Sequence, residues 1–285
     1  KSYATQLSGL VIWDEGFPDT VNIALMLAAQ EHLLPVTPSL AARLQDDGLV
    51  VKHDLRGRWS DRVSLYRWAF RHLFPRSNPG CLACVEPAWQ RPEFLDYIVH
   101  QKIFVYNLSS TAGGLGSQLL MLLVFGPPRL REFLFATRLD RLIRNAALTW
   151  MGWKSAEVKL ANRIQKTVIP LPYPTIFGWH TRRDDELSFM LQLSSNGLRL
   201  VPSHMAANFS FHSQLPASGA RSIPPVTTPA LDPLGVYLTF TLSDGDQLMM
   251  MSTGELGNWY DPQRGRIPFN WEMQPLLQDL APALM

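Results

Sequence analysis

Short apolar runs alternate along the chain with stretches of helical period, which points to repeated β-α units and parallel sheets rather than a sandwich or a bundle. Gly9-Leu10-Val11-Ile12-Trp13 reads as a buried strand, followed by an amphipathic helix from about Thr20 to Gln30. Leu33–Val36 is the next strand, and Pro38 opens a helix over Ser39–Leu44 in the favoured first position. Leu49-Val50-Val51 reads as a third strand, and Ser60 as the cap of a helix through His72 with Val63, Tyr66, Trp68 and Phe70 on its apolar side. Cys81–Val85 and Ile103–Tyr106 follow as strands, with Glu93–His100 helical between them. Residues 109–172 are helical in pattern, punctuated by Gly113-Gly114 and Pro127-Pro128, and read as an insertion. Strand pattern resumes at Pro174–Gly178, Leu198–Val201 and Val236–Leu242, with a helix over Asp184–Ser194.

About eight mostly parallel strands predict an α/β chain that is TIM-barrel-like. The Ser- and Pro-rich stretch 217–233 is linker-like, but the strand after it is too apolar to stand alone, so 1–285 reads as a single domain. At 285 residues, with 46% apolar composition, such a chain buries a core without needing staples. A net charge of +2 leaves no basic footprint for nucleic acid. The longest apolar run, Leu119–Phe125, is far short of the roughly 20 residues that cross a bilayer. Cys81 and Cys84 form one C-x-x-C, half of what structural zinc requires; both read as small core residues on a strand.

In parallel α/β folds, ligands bind where the loops after the strands converge. Those ends carry Asp14, His53-Asp54-Leu55-Arg56-Gly57, Glu86, Asn107, Trp179-His180, Ser203-His204 and Ser243-Asp244-Gly245-Asp246. Asp244 and Asp246 flank a glycine that permits a tight turn, a pairing that divides acid and base roles, holds a hard cation, or simply caps the helix at Gln247. Trp179 beside His180 suits the C–H face of a sugar ring. The acidic run Asp184-Asp185-Glu186 sits at a helix start, where the helix dipole favours it. Nucleotide-binding and serine-hydrolase signatures are missing.

Several boxes share one order along the chain: Asp19-Thr20-Val21-Asn22, Asp54-Leu55-Arg56-Gly57, Asp96-Tyr97, Gly178-Trp179 with Glu186, Asn208-Phe209-Ser210, Val236–Asp246, and Arg264-Gly265 with Pro268 and Trp271. In these residues and their order the chain resembles the GxGYxYP putative glycoside hydrolases, over roughly 9–285 and most weakly at 109–172. The Gly-x-Gly-Tyr-x-Tyr-Pro signature and most of the family's N-terminal region are absent, and Gln247 stands where the family usually has Asn. The resemblance therefore implies a portion of a longer protein or a diverged member, secreted or extracytoplasmic.

The activity it implies is cleavage of a glycosidic bond by two carboxyl groups, with no metal or other cofactor. Asp244 and Asp246 are the leading candidates, with Glu186 and Asp14 as the candidates for the second carboxyl. Asp54, Arg56, Trp179, His180 and Asn208 are expected to hold the carbohydrate. Two other classes stay open: a carbohydrate-binding protein without catalysis, and a metal-dependent hydrolase with Asp244 and Asp246 as ligands completed by His180 or His204.

Overall fold

The computed structural model describes residues 6–89, 92–111, 123, 126–168, 174–216, 230, 232–242, 247–253, 260–267, 270–272 and 274–284. The first unit contains β1 (Gly9–Ile12), α1 (Thr20–Glu31), β2 (Leu33–Val36), α2 (Pro38–Asp46), β3 (Val51–Asp54) and α3 (Arg62–His72). Its three strands are parallel in the order β2-β1-β3. β1 is buried on both faces: Leu10 and Ile12 pack with Val36 and Ala41, while Val11 belongs to the main core with residues of α1 and α3. This is why β1 reads as one continuous apolar run. α1 is buried nearly all round, from Thr20 and Asn22 through Ala29, as a helix between packed layers must be.

Local chemistry sets the element ends. Thr37 accepts from the Leu40 N–H at 3.3 Å, with Pro38 in the first turn of α2. Asp61, not Ser60, caps α3: its Oδ1 accepts from the Ser64 N–H at 2.8 Å, and the Ser64 hydroxyl returns to Oδ2 at 2.7 Å. β3 lies two residues further along than the apolar run 49–51. As an edge strand it alternates half-buried and exposed positions, so Lys52 and Asp54 face outward and no apolar run marks it.

The second unit contains β4 (Cys81–Cys84), α4 (Pro92–His100), β5 (Phe104–Tyr106), α5 (Pro128–Ala136), α6 (Leu139–Gln165), β6 (Thr175–Gly178), α7 (Glu186–Ser195), β7 (Arg199–Pro202) and α8 (Phe209–His212). Its strands are parallel in the order β5-β4-β6-β7. Tyr97 of α4 stacks on Phe209 of α8 at 3.9 Å, and both contact Phe177. Gln165 of α6 donates to the Tyr106 hydroxyl and to Gln192 of α7, each at 2.8 Å. α1 covers the free edge of β5, where the Val105 N–H donates to Met26 Sδ at 3.3 Å. A helix over a sheet edge removes a site for unwanted pairing. The described helical residues between β5 and β6 agree with the helical reading of 109–172.

Two expectations change. Each unit places its first strand in the middle of its sheet, and β3 pairs with β1 rather than β2, whereas a TIM barrel pairs each strand with its sequence neighbours. The described strands therefore form open sheets, not a closed barrel. Alternating β and α segments dictate parallel pairing but not strand order, which depends on the side to which each connection turns. The apolar run Val236–Leu242 is also not a full strand. Only β8 (Thr241–Leu242) pairs, with β9 (Asn270–Trp271), and Val236 is 99% and Leu238 77% exposed. Two short α-helices lie toward the C-terminal end, α9 (Gln247–Thr253) and α10 (Leu277–Leu280).

β4 and β6 approach very closely at Gly178. Its φ is +97°, and a Cβ there would lie 2.0 Å from the Cys84 carbonyl oxygen. Gly197 also has a positive φ, +70°, but open space around it. Gly197→Ala is therefore expected to cost about 1–2 kcal/mol, and Gly178→Ala on the order of 3 kcal/mol or more, read as the difference between their urea midpoints. Burial pushes the Cys81 thiol up to about 12 and that of Cys84 well above its usual range. Both stay protonated at neutral pH, so neither is expected to react with iodoacetamide at pH 7.5 until the chain is unfolded. Mass spectrometry of labelled native protein checks this.

Candidate functional site

An open parallel sheet offers a crevice where neighbouring strands connect in opposite directions, at their carboxyl ends. The first sheet does so between β1 and β3. Asp14, two residues past β1, accepts the Gly16 N–H on Oδ1 at 2.9 Å and the Gly57 N–H on Oδ2 at 2.8 Å. Gly57 supplies that donor from a backbone at φ +64°, a conformation natural to glycine. Beside it Asp54 takes Arg56 in a two-pronged pair, with Nη2 to Oδ2 at 2.6 Å and Nε to Oδ1 at 3.0 Å. Hydrogen bonding from the Arg56 guanidinium holds the Asp54 carboxyl below its usual range, and Asp14 adds to the field on Arg56. Leu55 is buried and anchors the loop. The structure thus brings Asp14, Asp54 and Arg56 together.

The second sheet repeats the arrangement between β4 and β6. Glu86, two residues past β4, accepts the Arg182 N–H on Oε2 at 3.3 Å. Gly178 lets β6 pass close to β4, its N–H donates to the Ser203 hydroxyl at 2.8 Å, and the Trp179 N–H donates to the Cys84 carbonyl at 3.1 Å. Trp179, so fixed, stacks on His204 with ring centroids 5.6 Å apart and planes at 26°. His180 lies tilted against it at 5.5 Å and donates from Nδ1 to the Thr181 carbonyl at 2.7 Å.

Between the crevices lies a buried ionic network that sequence reasoning did not assemble. Asp19, 1% exposed, precedes α1. Its Oδ1 accepts from the Tyr66 hydroxyl at 3.0 Å and from Asn107 Nδ2 at 2.9 Å, and its Oδ2 pairs with Arg62 Nη2 at 2.9 Å. Asn22 Nδ2 donates to Tyr66 and to the Val85 carbonyl, each at 2.9 Å. Glu157 of α6, wholly buried, holds Arg183 at 2.8 and 2.7 Å and accepts the Ser109 N–H at 3.0 Å. Arg183 Nη2 continues to the Asn107 carbonyl at 3.2 Å, and Asp184 binds the N–H and hydroxyl of Ser110 at 2.5 and 3.1 Å. Burial pulls Arg62 down, but the Asp19 carboxylate, with a contribution from Glu157, more than offsets it. Desolvation pushes the Tyr66 phenol well above its usual range, so it remains a donor. The box Asp19–Asn22 was the one available signal, with three polar residues just ahead of the apolar run Ile23–Ala29. Arg62, Glu157 and Arg183 are too far apart in sequence to be linked by spacing.

The other expected site residues fall elsewhere. Asp244 and Asp246 lie outside the described residues. Glu186 is exposed as the first residue of α7, whose cap is Asp185, accepting from Ser188 at 2.8 Å. Asn208 is exposed at φ +51° before α8, and no described contact joins it to either crevice; its box instead packs Phe209 on Tyr97 and hydrogen-bonds Ser210 to Asp96. Among the described residues, no three His, Cys, Asp or Glu side chains are grouped to hold a metal ion, and no helix is long and apolar enough to cross a membrane.

No curated protein matches the chain. Among solved structures, the crystal structure of a putative hydrolase from Bacteroides thetaiotaomicron VPI-5482 has a TM-score of 0.66 at 19% identity, over 99% of this chain and 46% of that one. That likeness is one of fold, and the chain spans less than half the length of that neighbour. Family models match in order: the GxGYxYP_N second domain at 7–77, the GxGYxYP third domain at 126–214, and the GxGYxYP putative glycoside hydrolase C-terminal domain at 235–285. The Asp14 crevice falls in the first match and the Trp179 crevice in the second; the chain belongs to the GxGYxYP family.

Proposed function

We propose that the chain belongs to a carbohydrate-active hydrolase that cuts a glycosidic bond with paired carboxyl groups at the strand ends. The observation that carries this reading is Asp14. Its carboxylate is held by two backbone N–H groups in the β1/β3 crevice, beside the exposed Asp54–Arg56 pair. A carboxyl fixed by backbone rather than by a long cation keeps one position while a substrate enters, and the Asp54–Arg56 pair beside it adds polar partners that suit a hydroxyl-rich ligand. Membership of a family whose C-terminal model is described as a putative glycoside hydrolase supports the same class.

In this reading one carboxyl protonates the leaving glycosidic oxygen while the other acts as base or nucleophile. Asp14 takes one role, and Asp244 or Asp246 the other, with Glu186 as a further candidate. Asp54, Arg56, Trp179, His180 and Asn208 contribute to holding the sugar. Residues 1–285 act as one α/β domain that carries the helices of 109–172 as an insertion.

A panel of oligosaccharides, scored for released sugar and for retained binding, tests the reading on the full chain and on Asp14→Asn, Asp244→Asn and Asp246→Asn. The expected outcome is a loss of release by about 100-fold or more in Asp14→Asn and in at least one of the others, with binding kept. Binding without release from any of the proteins replaces this reading with a carbohydrate-binding role.

A further inference from the structure

The two sheets share one contact that their sequences do not advertise. In each, the first strand lies at the point where the connections diverge, and the second residue beyond it is a carboxylate. That carboxylate accepts a backbone N–H from the loop after the adjoining strand: Asp14 from Gly57 at 2.8 Å, Glu86 from Arg182 at 3.3 Å. Glu86 thus occupies in the second sheet the place that Asp14 occupies in the first.

What surrounds Glu86 differs in kind. Its neighbouring loop presents Trp179, half-buried and stacked on His204, with His180 against its side. Trp179 is held at its backbone, whose N–H donates to the Cys84 carbonyl, and at its ring, which stacks on the His204 imidazole. A stiff aromatic plane costs little conformational entropy on binding. The C–H face of a pyranose packs on such a plane, while its ring hydroxyls need acceptors beside it, which a carboxylate provides in pairs. Arg182, exposed, meets Glu86 through its backbone N–H, and Arg183 is already bound to Glu157. A sugar carrying its own carboxylate would meet Glu86 as a like charge.

We propose that Glu86, Trp179 and His204 form a second saccharide subsite, at the β4/β6 crevice, for a neutral pyranose. Trp179 carries the ring face and Glu86 accepts its hydroxyls. The proposal rests on the carbohydrate part of the function proposed above and not on hydrolysis.

The test uses the full chain and neutral oligosaccharides of glucose, mannose, galactose and xylose, with dissociation constants from calorimetry and release scored on the same samples. Glu86→Gln keeps the shape of the side chain, and Trp179→Leu keeps much of the packing without an aromatic face should Trp179→Ala unfold. The expected result is that Glu86→Gln and a Trp179 variant each weaken binding by about tenfold or more while the thermal midpoint stays close to the parent's. Binding within about twofold of the parent in these variants overturns the subsite and leaves the hydrolase reading standing. Binding that depends on Glu86 without any release keeps the subsite and overturns hydrolysis. Failure of the parent to bind any neutral oligosaccharide overturns the subsite, and release from an acidic glycan in that case would still support a hydrolase.

Discussion

The Asp19 carboxylate, buried at the start of α1, takes donors from α3 and from the loop after β5 at once. It therefore ties the first sheet's helices to the second sheet's strand ends. A carboxylate taken out of water carries a penalty of several kcal/mol, which a single counterion does not reliably offset. Here three donors share the charge, and the Glu157–Arg183 pair extends the network through Asn107. Such an arrangement is not a simple gain in stability over an apolar interface. Its consequence is register: a rotation of α1 that moved Asp19 would strand both the carboxylate and Arg62 in low dielectric.

That constraint places the rest. With α1 fixed by Asp19 at its N-terminal end, Met26 meets the β5 edge and Asn22 reaches the Val85 carbonyl beside Glu86. The loop from Asp14 to Asp19 spans the distance between the first crevice and the network, so the position of Asp14 follows from that of α1. On the other side, Arg183 and Asp184 pin the loop after β6 to Glu157 and Ser110, and that loop is the one that bears Trp179 and His180. Trp179 and His180 thus sit on a loop held by buried charges.

The alternation of strands and helices was legible because every central strand is buried on both faces and so is a short apolar run: Gly9–Ile12, Cys81–Cys84 and Thr175–Gly178 were all found. β3 was displaced because an edge strand with one wet face needs only alternate apolar residues. Strand order was not legible, since a β-α-β unit returns with the same hand whichever side of the first strand it takes. Asp14, Asp54, Arg56 and Trp179 were readable as strand-end residues. Glu86 stood among the strand ends but had nothing in the sequence to distinguish it, because its equivalence to Asp14 is a matter of topology. Val236–Leu242 misled for the opposite reason, an apolar run whose described residues pair only at Thr241–Leu242.

Asn107 and Asp19 belong to different units and meet across 88 residues of chain at 2.9 Å. A double-mutant cycle of Asp19→Ala and Asn107→Ala, measured by urea unfolding, reads how strongly this contact couples the two sheets. Coupling of about 1–3 kcal/mol, within one cooperative transition, is the expected result. Additivity within about 0.5 kcal/mol, or two separate transitions in the parent chain, would contradict the view that the buried carboxylate makes the sheets one structure.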